Sequence, residues 1–139
     1  MRCAAERTTP ARRLALLADR NLSGLDLNTA VQADADGDTA RSTQSASNAS
    51  NRLRTVIEIA APILKEQRRD AALIAEIGLC NLYKSVSDRL LGDTQSANVA
   101  EVEADRLFRL AMEIDADDSM VRKLGRQIDA FSELVRDGS

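Results

Sequence analysis

Histidine and tryptophan are absent from this 139-residue chain, and aromatic residues make up only 2% of it. Without an imidazole there is no Ser-His or Cys-His nucleophile pair, and no Glu-x-x-His ligand pair of the kind used by helical di-metal proteins. Glycine-rich phosphate loops are missing as well. We therefore expect a protein that is not an enzyme and that needs no cofactor.

Cysteine, proline and glycine are also scarce. The two cysteines, Cys3 and Cys80, are too few for a disulfide framework or a metal knuckle, which suits a reducing, cytoplasmic location. Only two prolines and six glycines interrupt the chain, and so few aromatic residues require an aliphatic core, as in helical bundles. No apolar run is long enough to span a bilayer.

The charge of the chain is nearly balanced. There are 19 basic and 22 acidic residues, which give a formal net charge of -3. Nucleic acids and anionic membranes both bind basic surfaces, so this balance argues against wholesale binding to either. Five arginines among the first 20 residues nevertheless predict an exposed basic N-terminal arm.

Apolar residues at helical spacing are the dominant pattern. The densest stretch, Ala71 to Leu91, has two apolar lines, which predict a central helix that is covered on more than one face. We expect a second chain, identical or not, to complete that burial. The stripes of the other main helices are Leu53, Val56, Ile57, Ala60, Ala61 and Leu64; Ala100, Ala104, Leu107, Phe108, Ala111 and Ile114; and Val121, Leu124, Ile128, Phe131 and Val135.

These stripes predict an all-α fold, with a small bundle of about four antiparallel helices in residues 48–139. Residues 1–47 are expected to hold the basic arm, a short helix that starts at Pro10 and ends near Asn21 to Gly24, and a polar linker. Between Val31 and Leu53 there is no large apolar side chain, so we expect a mobile linker or a fully solvated helical extension.

Three local signals concern the helix boundaries. Pro62 lies off its apolar stripe, which favours one long kinked helix over a break. Asp70 is the predicted N-cap of the central helix. Asn98 and Glu101 resemble a capping box at the start of the next helix, and Gly138 is expected to end the last one.

One acidic segment, DADGD at residues 34–38, is similar to the opening of an EF-hand calcium loop. Asp34, Asp36 and Asp38 are the alternate carboxylates of that pattern. Thr39 and Ser45 replace the turn glycine and the closing glutamate. A solvated acidic turn is therefore our first interpretation, and weak calcium binding is the alternative.

Small and aromatic residues recur at helical spacing between Leu79 and Gly125. The positions of Leu79, Cys80 and Tyr83 resemble the first helix of a tetratricopeptide repeat, and the run from Ala104 to Asp117 resembles its second helix and exit turn. The two parts are too far apart for one repeat, so the resemblance implies a single helical hairpin whose groove binds a peptide or partner helix. Six apolar residues are the expected partner contacts: Leu73, Ile77, Tyr83, Phe108, Val121 and Phe131.

A competing pattern uses some of the same residues. Ala111, Ile114, Val121 and Leu124 have the apolar spacing of a DNA-binding helix-turn-helix. That resemblance implies a second helix that directs Ser119, Arg122, Lys123 and Arg126 into the major groove. Asp115 replaces the turn glycine, however, and neighbouring aspartates would repel phosphates. We rank an ordinary antiparallel helix pair first, the repeat-like hairpin second and this motif third.

The sequence therefore predicts a non-enzymatic helical module for protein–protein interaction, such as an adaptor, a chaperone-like protein or an assembly subunit. A helix-turn-helix DNA-binding regulator is the runner-up, and weak calcium binding ranks third. Glu76 is the only acidic residue well inside the central apolar stretch, and we expect it to pair with an arginine at the edge of the core.

Overall fold

Five helices and no strand make up residues 10–137, the part of the chain that the computed structural model describes; side chains are described for residues 20–133. The helices are α1 (Pro10–Ala35), α2 (Thr39–Glu66), α3 (Ala71–Leu90), α4 (Thr94–Asp115) and α5 (Ser119–Asp137). Loops of three or four residues join them, so consecutive helices run antiparallel. The all-α prediction is confirmed, with five helices instead of about four.

Two predictions fall at the chain ends. Residues 1–9 of the predicted basic arm and the predicted helix stop at Gly138 lie outside the described residues. From Pro10 onward the chain is helical, so the second half of the predicted arm is the start of α1.

α3 is the central helix, as predicted. It contacts each of the other four helices, and because α1 packs on α2 and α4 packs on α5, it lies between two helix pairs. All ten residues from Leu73 to Leu82 are buried. The second apolar face of α3, for which we expected another chain, is thus covered by helices of the same chain.

The core is aliphatic, as the scarcity of aromatic residues requires. Its largest fully buried side chains come from α2, α3 and α5, whereas α4 contributes mostly alanine. The main core residues are Leu53 and Val56; Leu73, Ile77 and Leu79; Ala97, Ala100, Ala104, Leu107 and Ala111; and Val121 and Leu124. Each buried leucine or isoleucine contributes roughly 1.5–3 kcal/mol of transfer free energy to this core.

The segment from Val31 to Leu53, which we expected to be a mobile linker or a fully solvated helical extension, is helical but not fully solvated: it forms the packed end of the α1–α2 hairpin. Gly37, at φ 80°, makes the tight turn between the two helices. Small side chains are buried along both helices here: Ala30 and Ala33 in α1, and Ser42, Ala46 and Ala49 in α2. Because small side chains let two helices approach closely, this contact needs no large apolar residue.

The predicted end of the first helix near Gly24 is also wrong. α1 continues for eleven residues to Ala35, because the buried residues on its inner face extend past the glycine. A glycine inside a helix costs only about 1 kcal/mol relative to alanine, which packing against α2 outweighs. The predicted boundary between residues 47 and 48 lies inside α2.

Each of the four loops ends in an aspartate that caps the following helix. The Oδ1 atoms of Asp38, Asp70 and Asp93 accept from backbone N–H groups three residues ahead, each at 3.1 Å. Asp118 accepts from the next helix in the same way. The prediction for Asp70 is confirmed, whereas the predicted cap at Asn98 is wrong, since α4 already begins at Thr94 after the turn at Gly92.

Replacing glycine by alanine is expected to have opposite effects on stability at two helical positions, Gly24 and Gly78. A Cβ on Gly78 would lie 2.6 Å from Leu124 Cδ2, a fully buried methyl group, whereas a Cβ on Gly24 would lie 3.9 Å from Tyr83 Cε2, an ordinary contact. Overpacking costs about 1–3 kcal/mol, and replacing a helical glycine by alanine gains roughly 0.5–1 kcal/mol. Urea unfolding should show Gly78→Ala destabilised by about 1 kcal/mol and Gly24→Ala stabilised; equal effects would contradict this packing.

Candidate functional site

Three of the six predicted partner contacts are core residues. Leu73, Ile77 and Val121 are 2%, 1% and 0% exposed. Their side chains pack inside this chain, and this burial removes them from any partner-binding surface of the fold. The periodic pattern located them correctly on an apolar face, but that face is internal.

Tyr83 and Phe108 are half-buried and pack against helices of the same chain. The ring of Tyr83 faces Gly24 of α1, and the ring of Phe108 faces Gly125 of α5, where a Cβ would come within 3.0 Å. Each aromatic ring therefore fills the space beside a glycine in a neighbouring helix. Both residues serve mainly to join helices.

Phe131 is the predicted contact that borders an open surface. It lies on α5 next to Ile128, both half-buried, and the Arg89 guanidinium of α3 is 5.8 Å from the centre of its ring. Ile128 and Phe131 line a cleft of about 420 Å³ between α4 and α5, with Leu82 of α3 among the lining residues. We call this the α4–α5 cleft; its remaining lining residues are Asn98, Glu101, Val102, Asp105 and Ser132.

Two exposed valines of α4, one of which lines this cleft, were not predicted as partner contacts from the sequence. Val99 and Val102 are 66% and 69% exposed, the highest values among the large apolar residues of the described part. Val102 lines the α4–α5 cleft, and both valines line a second, shallower depression of about 480 Å³ on α4. The signal in the sequence was the position of both valines off the alanine stripe that α4 buries.

The charged residues that line the two depressions are all acidic. They are Glu101 and Asp105 in the α4–α5 cleft and Glu103 in the neighbouring depression. Each carboxylate contacts one arginine: Glu101 pairs with Arg89 at 2.5 Å, Glu103 with Arg106 at 2.7 Å, and Asp105 with Arg109 at 2.8 Å. Exposed pairs of this kind contribute only about 0–1 kcal/mol.

A polar cluster joins three helices near the end of α3. The Asp88 carboxylate, on a residue only 3% exposed, accepts from Lys84 Nζ, from Ser50 Oγ of α2 and from Ser96 Oγ of α4, each at 2.7 Å. Burial raises the pKa of Asp88, but the hydrogen bonds from Lys84, Ser50 and Ser96 and the charge of Lys84 outweigh it and hold that pKa below its ordinary value.

Lys84 and Ser96 in this cluster are 3.0 Å apart, which is within reach for a Ser-Lys nucleophile pair. A serine nucleophile of that type needs a neutral amine that accepts its proton. Here the ammonium donates to the Asp88 carboxylate as well as to Ser96, so the arrangement is that of an ion pair. The cluster therefore fastens α2, α3 and α4 together.

Glu76 pairs with Arg20 of α1, as expected from the sequence. Both residues are almost fully buried, at 9% and 6% exposure, and the Arg20 Nε atom donates to Glu76 Oε1. A buried carboxylate that is held by a guanidinium has its charge compensated. Its role is to attach α1 to the central helix.

The predicted calcium ligands belong to the turn between α1 and α2. Asp34 lies in the last turn of α1, Asp36 accepts a hydrogen bond from Gln32 at 3.1 Å, and Asp38 caps α2. No cluster of three or more acidic or cysteine side chains that could hold a metal ion occurs among residues whose side chains are described. The segment has the geometry of a helix–helix turn.

The four predicted DNA contacts lie on the first half of α5. Ser119, Arg122 and Arg126 are exposed and Lys123 is half-buried. Asp118 at the N-terminus of α5 is a helix cap, with exposed Asp115 and Asp117 just before it. Carboxylates at this position repel DNA phosphates, so the runner-up function stays a prediction without added support.

No protein-family model, curated protein or solved structure matches this chain. Within residues 10–137, none of the helices has the length and hydropathy needed to cross a membrane. The tetratricopeptide-like and helix-turn-helix resemblances therefore stay predictions, and the candidate site is defined by geometry alone.

Proposed function

We propose that this protein is a non-enzymatic helical module that binds a protein partner at the α4–α5 cleft. One observation carries the proposal: Val102, about two-thirds exposed, lines the cleft together with the half-buried Ile128 and Phe131, and the equally exposed Val99 lies one helical turn away in the adjoining depression. Single exposed apolar residues are common on protein surfaces, but a group that borders a cleft marks an interaction site. Leu82 of α3, which lines the cleft and is only 3% exposed, connects the site to the core of the bundle.

The shape and lining of the cleft favour a segment of another protein over a small molecule. Small-molecule sites enclose most of the ligand and direct a few converging polar groups toward it. Here the polar lining residues lie along the two walls, and three of the four lie on one helix: Asn98, Glu101 and Asp105 on α4, and Ser132 on α5. A cleft between two helices that is apolar at its base accommodates an amphipathic helix.

Replacing both exposed valines by serine is expected to weaken partner binding without unfolding the protein. The probe is a synthetic amphipathic helix of about 18 residues, five helical turns, with leucine on one stripe and alanine or glutamine elsewhere. Fluorescence anisotropy should show binding to the unchanged protein and roughly tenfold or more weaker binding to the double variant Val99→Ser/Val102→Ser, because the buried apolar area is lost.

The matched control is Leu22→Ser/Leu25→Ser on α1. These leucines are 46% and 64% exposed, so the control also removes two large apolar side chains from the surface, but away from the cleft. It should bind the probe as well as the unchanged protein does. The proposal fails if both double variants weaken binding equally or if neither does. Circular dichroism melting curves of all three proteins should coincide.

A further inference from the structure

The charges around the α4–α5 cleft identify the chemistry of its partner. We propose that the occupant is an amphipathic helix whose apolar stripe is flanked by lysine or arginine; this inference rests on the proposed function. The apolar base of the cleft packs against the apolar stripe of the helix, and the acidic walls attract its flanking basic residues.

Among the described residues that line the cleft, the charged ones are acidic, Glu101 and Asp105, and Arg89 packs at its edge against Glu101 and the ring of Phe131. On α4, residues 98–105 include Glu101, Glu103 and Asp105. On α5, residues 128–133 include Asp129 and Glu133, both exposed. The basic residues among the predicted DNA contacts of α5 all precede Ile128. A positively charged segment is therefore attracted along both walls, and an acidic one is repelled.

Two of the three arginines that contact these carboxylates, Arg106 and Arg109, do not cancel the selection. The side chains of Arg106 and Arg109 are 61% and 77% exposed, and each reaches its carboxylate across a single turn of α4. Such surface pairs are weak, so a cation from the partner can replace the arginine at Glu103 or Asp105. Arg89 is held more firmly, by Glu101 and by the ring of Phe131, so it offsets the charge of Glu101 and the selection rests on the other carboxylates.

The positions of the apolar residues suit a helix in particular. Ile128 and Phe131 are three residues apart on the α5 wall, and on α4 Val102 of the cleft is continued one turn away by Val99 of the adjoining depression, so each helix presents a ridge of helical spacing. A third helix that lies between two others places its own i, i+3 and i+4 side chains into such ridges. Its flanking residues then face the acidic walls.

Three peptides of identical leucine stripe test this inference. Their flanking positions carry lysine, glutamine or glutamate, and binding to the full chain is measured by fluorescence anisotropy. At about 0.01 M salt the lysine peptide should bind roughly tenfold more tightly than the glutamine peptide, and the glutamate peptide should bind least. The three should converge at about 1 M salt, because the Debye length falls from about 30 Å to about 3 Å.

The variant Glu103→Gln/Asp105→Asn removes two negative charges with little change in side-chain shape, so it distinguishes the electrostatic contribution to binding from the packing contribution. It should weaken binding of the lysine peptide by about threefold at low salt, and leave binding of the glutamine peptide unchanged. Equal affinity for all three peptides would overturn the charge inference but leave the proposed function standing. If none of the three peptides binds the unchanged protein, or if Val99→Ser/Val102→Ser leaves the binding of all three unchanged, both proposals are overturned. Self-association of the chain that those serines abolish would make a second copy the occupant and also overturn the inference.

Discussion

Replacement of Asp88 by alanine is expected to destabilise the protein by about 3 kcal/mol. The change leaves the Lys84 ammonium and the hydroxyls of Ser50 and Ser96 without their common acceptor. Removing one member of a buried ion pair costs about 3–5 kcal/mol, because the other charge stays desolvated. Urea unfolding measures the loss.

The surface pair on α4 gives the control. Asp105 also pairs with a basic residue, Arg109, but that pair is exposed, so Asp105→Ala should cost only about 0.5 kcal/mol or less. Similar losses for Asp88→Ala and Asp105→Ala would show that the polar cluster does not hold the three helices together.

The same cluster determines how the free energy of unfolding changes with pH. Because the pKa of Asp88 lies below its ordinary value of 3.8, the unfolded chain takes up a proton at higher pH than the folded protein does. The contribution of Asp88 is therefore fully present above pH 3.8 and is lost as pH falls through the lowered pKa. In Asp88→Asn, the free energy of unfolding should fall less steeply over this range than in the unchanged protein.

Replacement of Ala46 by leucine is expected to cost about 2–3 kcal/mol and to open the end of the α1–α2 hairpin. Ala46 is fully buried where small side chains allow α1 and α2 to approach closely. A leucine there forces the helices apart or adopts a strained rotamer. In a mobile linker, or in a fully solvated helix, the same change would be neutral or slightly stabilising, because leucine is a good helix former.

Hydrogen exchange measured residue by residue distinguishes these cases. In Ala46→Leu, the amides of residues 28–50 should exchange faster, whereas those of α3 should change least. Thr43→Leu is the control, since Thr43 is exposed on the same helix and a leucine there meets solvent. Unchanged protection in both variants would contradict the packed hairpin.

The sequence predicted best where large apolar side chains recur. α3 was located to within one residue of its end, and the stripe from Leu53 to Leu64 was correctly placed in α2. The failure around α1 has one physical cause: the buried stripe of α2 continues toward its N-terminus at alternating spacings of three and four, but through Ala49, Ala46 and Ser42. Small residues stabilise a close helix contact without appearing in a count of large apolar ones.

A different physical cause separates the site residues predicted from the sequence from those of the proposed site. Leu73, Ile77 and Val121 are apolar and periodic, and those are the properties of core residues. Val99 and Val102 lie outside the periodic stripe of α4, and an apolar residue on the polar face of a helix is the stronger sign of an interface. Which side of α3 is covered by the chain itself depends on the tertiary fold, and periodicity alone does not determine it.

The central claim is that a partner helix binds at the α4–α5 cleft. It is tested most directly by locating the residues that the helix contacts. Two exposed apolar pairs compete for the role: Val99 and Val102 at and next to the α4–α5 cleft, and Leu22 and Leu25 of α1. The measurement is a nuclear magnetic resonance titration of the isotope-labelled chain with the lysine-flanked peptide. The account predicts shifts concentrated at the α4–α5 cleft, including Leu82. Shifts centred on Leu22 and Leu25, with the cleft unaffected, would contradict it.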